Sequence, residues 1–257
     1  MQDKISHPLL MNYSNNFRVS DWILSYFPKH KVYVEPFGGA ASLLLNKLPS
    51  TIEIFNDLNI DVFNFFNILR DNECSQKLAE LINLTPYSRM EYKAAFKKTD
   101  DKIEKARRFL IRSHMTVFSD ALIQNTSSSP SSLIESWNDQ PKCIQYASQR
   151  LKKTIIENMD PFEVIDKYDG NETLFFIDTP IPKKLNTASN AYLFEKLNNL
   201  KGMVIMCGWY DSQLPEILPN WTLMKKNGTK LTNDTCLWIC PKSKQYDLFN
   251  GIDNYKY

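Results

Sequence analysis

Residues 32–42 read VYVEPFGGAAS, and this stretch decides the fold. A run of β-branched and aromatic residues ends at a proline and at the adjacent Gly38 and Gly39, after which residues 40–47 are rich in Ala and Leu. This order predicts a strand, a glycine turn and a helix. The pair is informative because the 257-residue chain has only 7 glycines, where typical usage would give about 18.

A second strand and helix follow the first. Residues 52–57 read IEIFND, a β-like run that ends in Asp57, and residues 62–70 have helical spacing. Two such units in succession predict a parallel sheet. Strand-like runs return at 154–157, 174–178 and 203–207, whereas residues 74–150 have mainly helical spacing. We expect an α/β Rossmann-like core of residues 1–73 and 151–257, interrupted by a helical insertion over residues 74–150.

The glycine turn and the acid after it point to a nucleoside cofactor. Glycine lets backbone come close to a ligand between Glu35 and Gly39, and Asp57 at the next strand end can accept both ribose hydroxyls. The turn lacks G-x-G-x-x-G and the Lys-Ser/Thr of a P-loop, which disfavours a dinucleotide or ATP. A cofactor without phosphates fits better. The spacing alone is equally compatible with a tight connection that binds nothing.

Composition excludes several classes of protein. With 43% hydrophobic and 23% charged residues, the chain is neither globally disordered nor fibrous. No stretch reaches the roughly 18 apolar residues of a membrane span, and the first residues do not form a signal pattern, so we expect a cytoplasmic protein. Five cysteines without a Cys-x-x-Cys, beside three histidines, argue against a disulfide scaffold and a metal site. The net charge of +2 does not decide whether the partner is nucleic acid.

Several linked motifs carry a family resemblance. Residues 34–42 read VEPFGGAAS, 56–58 NDL, 64–71 NFFNILRD, 84–89 LTPYSR, 106–114 ARRFLIRSH, 156–160 IENMD and 207–212 CGWYDS. In this order they resemble the Dam-type, class α, N6-adenine DNA methyltransferases. The resemblance implies S-adenosylmethionine as cofactor, double-stranded DNA as partner and a target-recognition role for the insertion. It also implies that Phe37 and Gly38 line the cofactor pocket, that Asp57 accepts the ribose hydroxyls and that Asp160 lies near the cofactor's adenine.

The segment that carries catalysis in this family departs from the family pattern. The family has D-P-P-Y after a hydrophobic strand, with which it flips the target adenine, stacks it on the aromatic ring and accepts the amine hydrogens. Here the strand is followed by Asp178, Thr179, Pro180 and Ile181. Asp178 and the Thr179 carbonyl can still face the amine, but losing the ring and one proline predicts chemistry slower by about two to four powers of ten. The alternative is that Asp178 only ends a strand.

Two further departures lie close to the same site in the family. The family's N-terminal Tyr-Pro/His-Gly-Gly-Lys segment contributes to the cofactor pocket and presents a lysine beside the active site. This chain has Tyr13-Ser14-Asn15-Asn16-Phe17, which keeps Tyr13 as a candidate cofactor residue but loses the lysine. The connection from 182 to 192 is also shorter than the Arg-containing segment usual in the family. Together these losses suggest relaxed catalytic demand on a retained fold.

Candidate DNA contacts lie on a predicted helix of the insertion. Arg107, Arg108 and Arg112 are followed by His114, and arginines on one helix can neutralise phosphates. The alternatives are a solvated helix face paired with nearby acids, helix packing for Arg107 and a structural hydrogen bond for His114.

Three functions therefore remain open. The leading hypothesis is a catalytically impaired homologue, a pseudoenzyme candidate that acts as a DNA-binding or partner-binding subunit. The second is an active but slow, or partner-dependent, site-specific N6-adenine DNA methyltransferase. The third is a cofactor-binding regulatory protein without DNA affinity. The resemblance alone makes restriction-modification or phage biology a reasonable setting.

Overall fold

The computed structural model describes residues 5–11, 16–118, 130–178, 188–208, 213–228 and 235–243. Its strands in these ranges are β1 (Val32–Glu35), β2 (Ile52–Asn56), β3 (Thr154–Glu157), β4 (Thr173–Ile177), β5 (Met203–Gly208), β6 (Thr222–Lys226) and β7 (Thr235–Ile239). The helices are α1 (Ser20–Leu24), α2 (Ser42–Asn46), α3 (Ile60–Arg70), α4 (Asn72–Asn83), α5 (Arg89–Ala94), α6 (Lys102–His114), α7 (Pro130–Asn138), α8 (Gln140–Arg150), α9 (Pro161–Tyr168), α10 (Ala188–Asn199) and α11 (Leu214–Ile217). None of these helices is long and apolar enough to cross a membrane.

The strands form one sheet in the order β3-β2-β1-β4-β5-β7-β6. β1 runs parallel to β2 and to β4, and β4 runs parallel to β5, whereas β7 is antiparallel to β5 and β6. The predicted α/β fold with a parallel sheet is confirmed. Strand order reverses between β1 and β4, and ligands of such sheets bind outside the carboxyl ends of the strands at this switch point. The loops after β1 and β4 are therefore the first place to look for a site.

Contacts divide the chain into two compact units. What we call the helical unit comprises Met1–Ser20, Gly39–Lys47 and Asp57–Asn158, and the sheet unit comprises Asp21–Gly38, Leu48–Asn56 and Met159–Tyr257, each as far as it is described. Within the helical unit, α3, α4, α6 and α8 pack on one another. The functional division into 1–73, 74–150 and 151–257 stays a prediction.

The core of the sheet unit is built from strand residues and the helices that cover them. All five residues of β4 are buried, as expected for a parallel strand covered on both faces. Val34, Phe175, Val204 and Trp238 belong to one apolar cluster. The strand-like runs of the sequence did not include β6 or β7. β6 reads TLMKK and lies at the sheet edge, where lysines are tolerated and a buried pattern is weak.

Polar side chains fix where several helices begin. Asn59, Asp71, Ser88 and Asp101 precede α3, α4, α5 and α6, and each accepts a hydrogen bond from a backbone N–H in the first turn of its helix. Asp160 does the same for α9. Such caps satisfy amides that have no partner inside the helix and typically contribute about 1 kcal/mol each. The short polar residues between apolar runs thus set the helix boundaries.

Candidate active site

The turn after β1 is held by backbone bonds in the sheet unit. The N–H of Gly38 donates to the carbonyl of Asn56 at 2.8 Å, and a Cβ added to Gly38 would overlap the ring of Phe55. Residue 38 must therefore be glycine for the turn to lie this close to β2. Glu35 is buried at the strand end, where it accepts a hydrogen bond from the Tyr33 hydroxyl at 2.7 Å. Phe37 is half-buried against the apolar core.

In the helical unit, Gly39 of the turn is hydrogen-bonded to Asp57, the predicted acceptor of the ribose hydroxyls. Gly39 has a left-handed φ of 52°, and its N–H donates to Asp57 Oδ2 at 2.9 Å. The N–H of Asn59 donates to the other oxygen at 2.8 Å. Burial raises the pKa of Asp57, while the two amides act in the opposite direction. Each carboxylate oxygen has a second lone pair, so ligand hydroxyls can still be accepted.

The backbone of Asp57 is fixed as well as its side chain. Asn158 Nδ2 donates to the Asp57 carbonyl at 2.7 Å, and the Asp57 N–H donates to the Glu157 carbonyl at 3.4 Å. The acid therefore has little freedom to turn away from the glycine turn. A preset acceptor loses less entropy when a ligand binds.

Backbone strain lies in the same turn. Ala41, the residue before α2, has a left-handed φ of 54°, and it is the one non-glycine residue with positive φ in the described ranges. This conformation costs an L-residue roughly 1 to 2 kcal/mol. Strained residues persist where the surroundings enforce them, and such positions cluster at functional sites.

Two further acids follow strands of the sheet unit. Asp160 is exposed and accepts the N–H of Phe162 at 2.8 Å, so part of its carboxylate already caps α9. Asp178 follows β4 directly and is partly exposed. Thr179, Pro180 and Ile181 lie outside the described residues, as does Tyr13. Asp178 is thus the member of the predicted catalytic segment whose position is known.

Three apolar side chains of the described residues were not singled out from the sequence as candidate site residues. Leu58 follows Asp57 and is 66% exposed. The rings of Phe162 and Tyr192 meet edge to face with centroids 4.9 Å apart, and Tyr192 is 52% exposed. Exposed apolar and aromatic side chains of this kind are suited to contact a base. In the sequence they resemble ordinary helix-packing positions. Leu58 and Phe162 each stand within two residues of a candidate acid, and this proximity was the available signal.

Arg107 joins two helices of the insertion. Its Nε and Nη2 donate to the Glu104 carboxylate at 2.7 and 2.8 Å, and its Nη1 donates to Glu91 on α5 at 3.1 Å and to Thr85 Oγ1 at 3.0 Å. These carboxylates raise the pKa of Arg107 above its ordinary value. Its donors are occupied inside the helical unit, which favours the helix-packing interpretation.

The other two arginines of α6 are also engaged. Arg108 donates to Glu104 at 2.6 Å and to the Lys97 carbonyl. Arg112 donates to the Ala95 carbonyl at 2.8 Å and to Asp61 Oδ2 at 3.4 Å. Together with Arg107 they brace the chain around α5. Their role as DNA contacts stays a prediction.

His114 is enclosed in the helical unit. It is 2% exposed, and its Nε2 donates to the Leu9 carbonyl at 2.9 Å. Burial lowers its pKa to about 4. A buried, neutral imidazole with a backbone partner supports a structural role and disfavours direct contact with DNA.

What we call the α5 face consists of α5 and the three residues after it. Arg89 and Lys93 on α5 and Lys97 after its end are exposed, and Tyr92 and Phe96 stand between them in the sequence. Phe96 is 60% exposed. Within the described part of the chain, none of the three cations has an ion pair. Basic side chains interleaved with exposed aromatic rings are suited to nucleic acid.

The described ranges contain no group of three or more His, Cys, Asp or Glu side chains that could hold a metal ion.

Comparison with known proteins gives a match to a family model and matches among solved structures. The family model for D12 class N6 adenine-specific DNA methyltransferases matches residues 17–200. A solved structure described as a putative methyltransferase, yhhF, from Escherichia coli is 10% identical with a TM-score of 0.38, covering 93% of this chain and 97% of that one. No curated protein matches the chain. The family match includes the glycine turn, Asp57, Asp160 and Asp178.

Proposed function

Because this chain belongs to the D12 class N6 adenine-specific DNA methyltransferase family, we propose that it binds S-adenosylmethionine and double-stranded DNA but is impaired in methyl transfer. The observation that carries the proposal is the bond between Gly39 and Asp57. It joins a residue of the glycine turn to the acid that directly follows β2, whereas the segment after β4 lacks the family's aromatic residue. Binding is retained and the catalytic loop has degenerated.

The residues present fit the cofactor. Gly38 and Gly39 offer backbone without side chains, and Asp57 offers lone pairs to the ribose hydroxyls. Asp160 is exposed and would lie near the adenine, as the resemblance to the family implies. When bound, S-adenosylmethionine supplies an electrophilic methyl group on a sulfonium. The protein's part is to bind and orient it.

The target amine needs help from the protein to react. The lone pair of an adenine N6 is delocalised into the ring, and hydrogen-bond acceptors at its hydrogens localise it on nitrogen. Asp178 follows the buried β4 and would be one acceptor, with the Thr179 carbonyl as the other. Ile181 cannot stack a flipped base as an aromatic ring does, an interaction worth on the order of 1 to 3 kcal/mol. The base would be held less firmly, and transfer would be slow.

DNA binding is assigned mainly to the exposed face of α5. Lys93 and Lys97 have no carboxylate partner in the described ranges and are available for phosphates. Arg89 donates one N–H to the Phe118 carbonyl at 3.2 Å, and its remaining N–H groups would serve a phosphate. The α6 arginines act chiefly as a brace for α5, and Arg112, which lies against the exposed Phe96 ring with its guanidinium carbon 5.9 Å from the centroid, stands at the margin of this face. The insertion over 74–150 is then the target-recognition part.

A second candidate is a conditional enzyme. Asp178 survives at the end of β4 and is partly exposed, so an acceptor for the amine is still present. In this alternative, a partner chain or a particular DNA site supplies the stacking on the target base that Ile181 does not provide.

The test is transfer of a labelled methyl group from S-adenosylmethionine to unmethylated mixed-sequence duplex DNA. Wild type, Asp178→Ala and the double variant Thr179→Pro/Ile181→Tyr are compared after each is shown to fold. We expect little transfer by wild type, none by Asp178→Ala and a gain of about two to four powers of ten in the double variant. Rapid transfer by wild type that the double variant does not improve would show an intact enzyme and contradict impairment.

A further inference from the structure

Asn56, the last residue of β2, is completely buried and uses its whole side-chain amide. Its Nδ2 donates to the carbonyls of Pro36 at 2.9 Å and Met159 at 3.1 Å. Its Oδ1 accepts the N–H of Met159 at 2.9 Å. A primary amide has two donor hydrogens and one acceptor oxygen, and all three are satisfied here.

The backbone of Asn56 makes a fourth connection. Its carbonyl accepts the N–H of Gly38 at 2.8 Å. One residue therefore holds the turn after β1 at two points, Pro36 and Gly38, and the segment after β3 at one residue, Met159. Asp57 follows Asn56 directly in the chain, and Asp160 follows Met159.

The amide cannot be replaced by a group of the same shape. A carboxylate at residue 56 would place its oxygens against the carbonyls of Pro36 and Met159, and it has no hydrogen to donate. An apolar side chain would leave both carbonyls and the Met159 N–H without this partner. Buried polar groups that lose their partner cost about 1 to 3 kcal/mol each. The position is matched to the donors and acceptor of asparagine.

We propose that Asn56 is the positioning residue of the cofactor site. It fixes the glycine turn and the Met159 segment at the spacing that the cofactor requires, without touching the cofactor itself. The inference rests on the proposed binding of S-adenosylmethionine. It adds a residue that acts through the turn at Gly38 and through Met159, which precedes Asp160.

The test is calorimetric titration of S-adenosylmethionine into wild type, Asn56→Asp and Asn56→Ser at pH 8 and pH 6, with melting temperatures measured alongside. Asn199→Asp is the matched control, because Asn199 is an exposed asparagine whose Nδ2 donates to a single carbonyl, that of Glu195. We expect affinity relative to wild type to fall about tenfold or more in Asn56→Asp at pH 8. At pH 6 the carboxyl introduced by Asn56→Asp can be protonated and donate again, so several-fold recovery is expected in this variant. No recovery is expected in Asn56→Ser, whose side chain does not titrate.

The outcomes separate the two proposals. If wild type binds and both Asn56 variants bind equally well at pH 8, the positioning role is wrong and cofactor binding stands. If Asn56→Asp and Asn56→Ser lose the same affinity at both pH values, the defect is general loss of structure, which also overturns the specific role. If wild type does not bind the cofactor, the proposed function fails and this inference fails with it.

Discussion

The N–H of Gly39 donates to Asp57 Oδ2 across 2.9 Å, so two features 18 residues apart in sequence meet in one hydrogen bond. The bond sets the left-handed turn of Gly39 against the acid that follows β2. Since the carboxylate is already oriented by Gly39 and Asn59, a nucleoside would find its acceptor in place.

Gly38 should tolerate no side chain. In Gly38→Ala the new Cβ meets the Phe55 ring, and either the ring or the turn must move. Overpacking of this kind typically costs about 1 to 3 kcal/mol. Gly170→Ala is the control, because its Cβ would meet Thr173 Oγ1 at 3.4 Å and nothing closer. Urea unfolding of both variants checks this, and equal stabilities would contradict the close packing of the turn.

Cofactor affinity should fall in acid because of Asp57. Burial raises the pKa of this carboxyl above its ordinary 3.8, so the neutral form, which accepts hydroxyls less well, appears at a higher pH than for a free aspartate. Affinity is therefore expected to be full above the raised pKa and to decline as pH falls through it. Titrations at pH 8 to 5 measure this, with Asp57→Asn expected to show weaker binding and a flatter profile. A wild-type profile as flat as that of the variant would argue against a role for the carboxylate.

Folding stability should depend on His114 between about pH 6.5 and 4. The unfolded imidazole takes up a proton near 6.5, whereas the buried one stays neutral until about 4. Acidification through this interval therefore favours the unfolded chain, by up to about 3 kcal/mol. His114→Gln keeps a donor for the Leu9 carbonyl and removes the titration. The free energy of unfolding of His114→Gln should change less with pH than that of wild type or of His7→Gln, a control at a half-exposed histidine. If the free energies of all three proteins changed equally with pH, the role of His114 would be refuted.

We expect the cations of the α5 face to be the source of the salt dependence of DNA affinity. Replacing Arg89, Lys93 and Lys97 with Ala is expected to weaken binding and to lower the slope of log affinity against log salt, by up to about 0.9 for each phosphate that is no longer neutralised. The control is the triple Ala variant of Lys29, Lys142 and Lys201, exposed lysines elsewhere that give the same change in charge. Equal weakening in the two triple variants would indicate a general charge effect and no defined DNA face.

The strand ends at which the candidate site residues stand could be predicted from local order in the sequence. Gly38, Gly39 and Asp57 stand at strand ends, where a parallel sheet leaves few alternatives, and this topology follows from the alternation of strands and helices. The environment of Arg107 could not be predicted, because Glu91 lies 16 residues earlier and reaches it only after α5 and α6 pack. The burial of His114 could not be predicted either, because Leu9, whose carbonyl accepts its hydrogen bond, is 105 positions away in the sequence. Periodicity marks a face of a helix but does not show what will cover it.

The most direct test of the account is binding of S-adenosylmethionine to the purified protein by calorimetry. The account predicts one site per chain that weakens at least about tenfold in Asp57→Ala and is unchanged in Asp169→Ala. Asp169 is a matched control, since its carboxylate also accepts two backbone N–H groups, those of Lys201 and Gly202, at 3.0 and 2.9 Å. Absence of binding by folded wild-type protein, or equal weakening in both variants, would contradict the proposed cofactor cradle.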